Sequence, residues 1–263
     1  MIRLLKKTDK ISLLDFLYQE AAYNIFPIGD IETFGFDIDF QRVYGEFDDE
    51  GNYLSILLRY KEHAVYYASE TRFNVNYVEI FNNDPFDFIS GKSELMNLLD
   101  PYLVDFKATK MYFCEADEAK KVKKIDAIKE VNDETSLSKL YDLLMEIDEF
   151  HYRKKSREEF IKDKLNALKM GHIFAYEQDD LLVSTASTTA TTSKNAMVIS
   201  VATLNNYRKK GYASLLLEKL MDYYINDLGK HLCLFYDNPE AGRIYHRLGF
   251  KSLGDWAVYE RNE

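Results

Sequence analysis

Three consecutive cations, Arg208, Lys209 and Lys210, stand directly before Gly211 in the stretch NNYRKKGYASLLLEKL, residues 205–220. The chain around them carries a formal net charge of −10, so this local excess of positive charge runs against the whole. An apolar run, VISVAT, precedes the cations and ends at Thr203, and Leu215, Leu216, Leu217, Leu220 and Met221 follow at helical spacing. The spacing predicts a strand, a tight turn and the N-terminus of a helix. The first turn of a helix presents unpaired N–H groups and partial positive charge. Glycine, with a small alanine at 213, lets an anion approach the backbone, so the chemistry is recognition of a phosphate or diphosphate. The nucleotide P-loop and the G-x-G-x-x-G dinucleotide fingerprint are both absent.

The loop reads R-x-x-G-x-A, and residues 238–250 read NPEAGRIYHRLGF. The first pattern resembles the coenzyme A diphosphate loop of the GNAT N-acetyltransferase superfamily, [RQ]-x-x-G-x-[GA]. The second is similar to that superfamily's N-x-x-A-x-x-[LI]-Y-x-x-x-G-F, matched by Asn238, Ala241, Ile244, Tyr245, Gly249 and Phe250. The resemblance covers roughly residues 125–260. It implies an α+β fold: a mixed, mostly antiparallel sheet with helices on both faces, splayed between its fourth and fifth strands, with acetyl-CoA in the splay. Carried over residue by residue, it implies that Val201, Ala202 and Thr203 flank the pantetheine arm. Arg208, Lys209, Lys210, Gly211, Tyr212 and Ala213 would surround the diphosphate, Ser214 would add a hydroxyl, and Asn238 would meet the coenzyme from the other side. Tyr245 would sit near the thioester sulfur.

The implied activity is acetyl transfer from acetyl-CoA to a primary amine in a ternary complex. It needs a neutral amine, a hydrogen-bond donor for the developing oxyanion and a proton for the departing thiolate. A backbone N–H near Val201 fits the second role and Tyr245 the third. The general base stays open among Glu149 and His151 in IDEFHYR, Glu177, and a chain of waters. A non-catalytic acyl-CoA-binding or regulatory protein of the same fold is the alternative, and an O- or protein-lysine acetyltransferase is a third reading. Polyamines, amino acids, aminoglycosides and peptide amines all remain open as acceptors, and the chain is expected as a monomer or homodimer.

The elements that position these residues read as two halves of similar order, each a helix, a three-strand meander, a helix and a strand. The charge-rich seam EADEAKKVKKID places a boundary near Lys121, giving a degenerate GNAT-like module over 1–121 and the coenzyme-binding domain over 122–263. In the first half Ile11–Ala22 reads as a helix, NIFPIGD and FNNDPFD as loops, and VYGEF, YLSILLRY, AVYYAS and KMYFCEA as strands. In the second, KIDAIKEV reads as a strand, Thr135 as a helix N-cap, Ser156 and Glu159 as a capping box, and residues 250–259 as a strand pair. After AVYYAS there is no R-x-x-G-x-A, so the first half is expected to bind no coenzyme. Its Asp30, Glu32 and Asp37 are candidates to meet a cationic acceptor.

Composition sets the outer limits. At 46% apolar and 30% charged residues the chain has the balance of a soluble globular protein with a sizeable core. Its acidity argues against nucleic acid as a partner. It has no run of apolar residues of membrane-spanning length and no leader pattern, so a cytoplasmic location is expected, with no membrane partner. Cys114 and Cys233 lie in short apolar runs and read as buried strand thiols. No Cys/His spacing suits a metal, so none is expected.

Overall fold

A computed structural model describes residues 1–36, 38–148 and 155–262. The chain divides into two compact units. The first holds residues 1–113, 235–237 and 252–263, and the second holds 114–234 and 238–251. The unit boundary after Phe113 thus precedes the charged seam at Lys121, and residues 252–263, expected with the C-terminal domain, are grouped with the first unit.

Both halves run through the same order of elements. The first has β1 (Ile2–Leu4), α1 (Lys10–Leu17), α2 (Ile25–Phe34), β2 (Gln41–Phe47), β3 (Tyr53–Tyr60), β4 (His63–Ala68), α3 (Tyr77–Asn83), β5 (Phe88–Lys92), α4 (Ser93–Leu99) and β6 (Phe106–Ala116). The second repeats it as β7 (Ile128–Glu130), α5 (Glu134–Met145), α6 (Arg157–Ala167), β8 (Ile173–Gln178), β9 (Leu181–Thr189), β10 (Asn195–Thr203), α7 (Tyr212–Met221), β11 (His231–Tyr236), α8 (Pro239–Leu248) and β12 (Lys251–Arg261). Strand pairing repeats as well. Strands β1 to β4 are antiparallel neighbours and β5 joins β4 in parallel. Strands β7 to β10 are antiparallel neighbours and β11 joins β10 in parallel. Each unit is therefore a mixed, mostly antiparallel sheet with helices packed on it, as the fold class expected.

Local chemistry accounts for most of these elements. Helix α7 buries Leu216, Leu217, Leu220 and Met221 along one stripe, while β8 and β9 meet in a hairpin whose two turn residues, Asp179 and Asp180, have φ of +52° and +63°. Helix α6 starts with the expected Ser156–Glu159 capping box. Helix α5 is capped by Asp133, whose carboxylate accepts the Ser136 N–H, rather than by Thr135. NIFPIGD is not a loop: it opens α2, where Pro27 stands in the first turn and its missing N–H costs no helical bond. FNNDPFD divides into the end of α3 and a short turn that leads into β5, and the expected final strand pair is the single strand β12. The expected strand KIDAIKEV keeps only Ile128–Glu130. Among the described residues no helix is long and apolar enough to cross a membrane.

The first unit closes its own parallel strand pair. The β4–β5 register ends at Val65 and Ser90, but the next residue, Gly91, sits so near β4 that a Cβ there would lie 2.6 Å from the Tyr66 carbonyl oxygen. Lys92 follows, with Nζ 2.6 Å from both carboxylate oxygens of Glu20 and 4.5 Å from the Tyr23 ring centroid. Because the obstacle is backbone, Gly91→Ala is expected to destabilise the protein by about 2 kcal/mol. An unchanged urea midpoint would contradict this packing.

Candidate functional site

In the second unit the equivalent strands part. Strands β10 and β11 pair through Asn195–His231, Ala196–Leu232 and Met197–Cys233, and the register ends there although β10 continues to Thr203. Past Met197, among the described residues, β10 pairs only with β9. That ladder slips between Ile199, opposite Ser187, and Ala202, opposite Thr185, so Ser200 and Val201 together face one residue of β9. Ser200 has a φ of +54°, a left-handed conformation uncommon outside glycine. A bulge of this kind leaves peptide groups outside the ladder and turns them toward other partners. It is pinned by Ser184, whose buried hydroxyl donates to the Ala202 carbonyl at 2.8 Å and lies 2.8 Å from Thr203 Oγ1.

The cationic loop begins where β10 ends. One 3₁₀ turn, Asn205–Tyr207, leads to Arg208 in an extended conformation, then to Lys209 and Gly211 with φ of +64° and +88°. Alternating backbone handedness of this sort turns successive N–H groups toward one side. Gly211 is the N-cap of α7 and provides no capping side chain, and the space where its Cβ would stand is open. The first-turn amides of Tyr212, Ala213 and Ser214 thus face outward at the positive end of the helix dipole. Arg208 is anchored by its Nε, which donates to the Thr203 carbonyl at 3.1 Å, and Lys210 lies 4.8 Å from the Tyr207 ring centroid. Tyr212 stacks on Tyr176 at 4.3 Å, and its hydroxyl donates to Gln178 Oε1 at 2.9 Å. Ser214 Oγ accepts from Arg247 on α8 at 2.9 Å. Arg247 adds a fourth cation that no spacing in the sequence announces, because the contact joins two helices distant in the chain.

The 238–250 motif is in large part a helix with both ends capped. Asn238 is the N-cap of α8, and its Oδ1 accepts the Glu240 N–H at 2.9 Å, with Pro239 at the first helical position. Gly249 ends the helix at φ +108°, and the N–H groups of Gly249 and Phe250 return to the carbonyls of His246 and Tyr245. Tyr245 is 9% exposed, and its ring meets Phe250 at 6.0 Å and 68°.

The other candidates separate. Glu149, His151 and Asp37 lie outside the described residues. Glu177 accepts from Lys139 at 2.9 Å, an ion pair that ties β8 to α5. Glu32 accepts from the Tyr18 hydroxyl, and Asp30 stands on α2 with its carboxyl pushed up to about 7 by burial. Cys114 and Cys233 are buried, and burial pushes the Cys233 thiol up, away from nucleophilic use. No group of three His, Cys, Asp or Glu side chains among the described residues has metal-binding geometry.

Residues 137–250 match the model of the acetyltransferase (GNAT) family. This stretch is a GNAT-family domain. No curated protein matches the chain in sequence. Among solved structures, a GCN5-related N-acetyltransferase from Sphaerobacter thermophilus is similar with a TM-score of 0.63 at 13% identity, over 99% of this chain and 95% of that one. A Drosophila protein is similar with a TM-score of 0.72 at 8% identity, covering 98% of each chain. A tandem GNAT protein from the clavulanic acid biosynthesis pathway is similar with a TM-score of 0.58 at 10% identity, over 98% of this chain and 97% of that one. Identities this low speak to fold, and the last of these agrees with a GNAT-like module on each side of the chain's middle.

The N-terminal GNAT-like module lacks the features of the site. Its loop in the place of 204–211 is Ser69–Asn76, and it is tied inward. Arg72 and Asn74 donate to Glu46 Oε1 at 2.8 and 2.9 Å, and Ser55 donates to Oε2 at 2.5 Å. Phe73 packs among Tyr66, Tyr77 and Phe81. An internal carboxylate occupies Arg72, the one cation of that loop, together with the Asn74 amide. In the GNAT domain, by contrast, Gly211 is left-handed at an open helix end. Gly211→Ala is expected to cost about 1–2 kcal/mol of stability for the left-handed conformation alone. Thermal denaturation without ligand checks this, and a stabilised variant would contradict the geometry.

Proposed function

We propose that the protein is an N-acetyltransferase that moves an acetyl group from acetyl-CoA to a primary amine held beside it, without a covalent enzyme intermediate. The observation that carries this reading is the parting of β10 from β11 after Met197 and Cys233, directly upstream of an uncapped helix end lined by Arg208, Lys209 and Lys210. The open position at Gly211 and the absence of a capping side chain suit a diphosphate.

On this reading the amides of Gly211 to Ser214 hold the diphosphate, the three cations raise the local field, and Arg247 orients the Ser214 hydroxyl. Val201, Ala202 and Thr203 present the bulged backbone to the pantetheine arm. Asn238 spends its Oδ1 on the α8 cap and keeps its amide NH₂ for the coenzyme. Acetyl-CoA supplies an activated acyl group when bound. A peptide N–H of the Ser200–Val201 bulge serves as the oxyanion donor, fixed in advance by Ser184 so that it need not reorganise during reaction. Tyr245 holds a proton on its phenol oxygen and is the acid of this reading. Its buried ring fixes the position of that oxygen. The base for the amine is left to Glu149, His151 or water, since Glu177 is engaged with Lys139.

Thiol release from acetyl-CoA against a panel of primary amines tests the proposal. Tyr245→Phe is expected to lower turnover about 100-fold while leaving the dissociation constant for acetyl-CoA nearly unchanged. Gly211→Glu is expected to abolish binding, since it places a carboxylate at the diphosphate position. Full turnover in Tyr245→Phe would remove that residue from the acid role. Coenzyme binding with no thiol release from the parent on any amine would favour a non-catalytic coenzyme-binding protein.

A further inference from the structure

Helix α7 begins without a capping side chain, yet its first turn is held. The residue after Gly211 is Tyr212, whose half-buried ring stacks on Tyr176 of β8, with centroids 4.3 Å apart and planes 27° from parallel. Its hydroxyl donates to Gln178 Oε1 at 2.9 Å. The Gln178 amide is itself oriented: its Nε2 donates to Asp179 Oδ2 at 3.4 Å, which leaves Oε1 toward Tyr212. Both rings also pack against the core cluster that contains Ala202 and Leu204.

Strand register gives this contact its meaning. Thr203 stands opposite Ser184 on β9, and Ser184 stands opposite Tyr176 on β8. Residues directly opposite on adjacent strands share a face of the sheet, so Thr203, Ser184 and Tyr176 form one cross-strand row. Two strand spacings, about 10 Å, separate the ends of that row. The cationic loop leaves the sheet at Thr203, where Arg208 Nε donates back to the Thr203 carbonyl at 3.1 Å. It returns to the same row through Tyr212 on Tyr176. One row of the sheet therefore sets both the exit and the return of the loop, and its middle residue, Ser184, also pins the bulge.

An ordinary N-cap side chain accepts a hydrogen bond from an amide in the first helical turn. Asn238 does so for α8 and Ser156 for α6. Such a cap on α7 would occupy an amide that an anion needs. Tyr212 instead ties the helix to β8 through its ring and through a bond to another side chain, and it uses no first-turn N–H. We propose that Tyr212, clamped by Tyr176 and Gln178, is a positioning residue that fixes the first turn of α7 while leaving its amides for a diphosphate. The ligand in this inference rests on the acetyl-transfer reading, and the clamp does not.

The test uses the full chain. Without ligand, nitrogen-15 relaxation is expected to give lower order parameters at residues 212–214 in Tyr212→Leu than in the parent. Tyr212→Leu is expected to weaken acetyl-CoA binding about tenfold, through loss of the stack and the hydrogen bond. Tyr212→Phe keeps the ring and is expected to lose about threefold. Gln178→Leu is expected to match Tyr212→Phe, and the double variant to lose no more than either, because both remove one bond. Acetylpantetheine, which lacks the diphosphate, is expected to bind Tyr212→Leu as it binds the parent, whereas a general loosening of the domain would weaken both ligands. Unchanged order parameters or unchanged acetyl-CoA affinity in Tyr212→Leu, or equal losses for the two ligands, would overturn the proposal. A parent that binds no acetyl-CoA would overturn the acetyl-transfer reading instead, and the relaxation measurement would still decide the clamp.

Discussion

A parallel strand pair that stops after three residues leaves backbone on β10 without its usual neighbour, and the site in the GNAT domain is built from that shortfall. A peptide group withdrawn from a ladder needs another hydrogen-bond partner. Here the need is concentrated at one place: β10 loses β11 after Met197, is kinked by the bulge at Ser200, and leads through the cationic loop to a helix whose N-cap, Gly211, has no capping side chain. Ser184 on β9 holds the kink from the opposite side.

The N-terminal unit shows what the same architecture becomes when the shortfall is filled from within. Its β4 and β5 stay in contact past the last register pair at Gly91, and the Lys92–Glu20 pair occupies the end of β5. Glu46 draws the Ser69–Asn76 loop inward through Arg72 and Asn74. Two units with one order of elements thus differ in where their backbone and cations find partners. In one, the partners are internal. In the other, Arg208 and Arg247 are held by Thr203 and Ser214 beside a helix end that has no capping side chain.

Much of this was legible in residue order. The strand, cationic loop and amphipathic helix at 198–221 follow from hydropathy and one glycine, and α8 carries its own caps in Asn238 and Gly249. Half of its motif therefore reports helix ends rather than chemistry. The bulge left no trace, since nothing marks Ser200 as left-handed when tertiary pairing alone puts it there. Helix α2 was misread because Pro27 and Gly29 signal a turn in isolation. In the fold Pro27 falls in the first helical turn and Gly29 is buried. Strand β5, FISGK, is short and contains glycine, and only its two neighbours hold it extended. Arg247 and Ser214 meet through helix packing, which one chain read in order does not display.

The most direct test follows amide hydrogen exchange with and without acetyl-CoA. The account predicts slowed exchange at Ser200–Thr203 and Gly211–Ser214, with Ser69–Asn76 unchanged. Protection at Ser69–Asn76, or none at Gly211–Ser214, would contradict it.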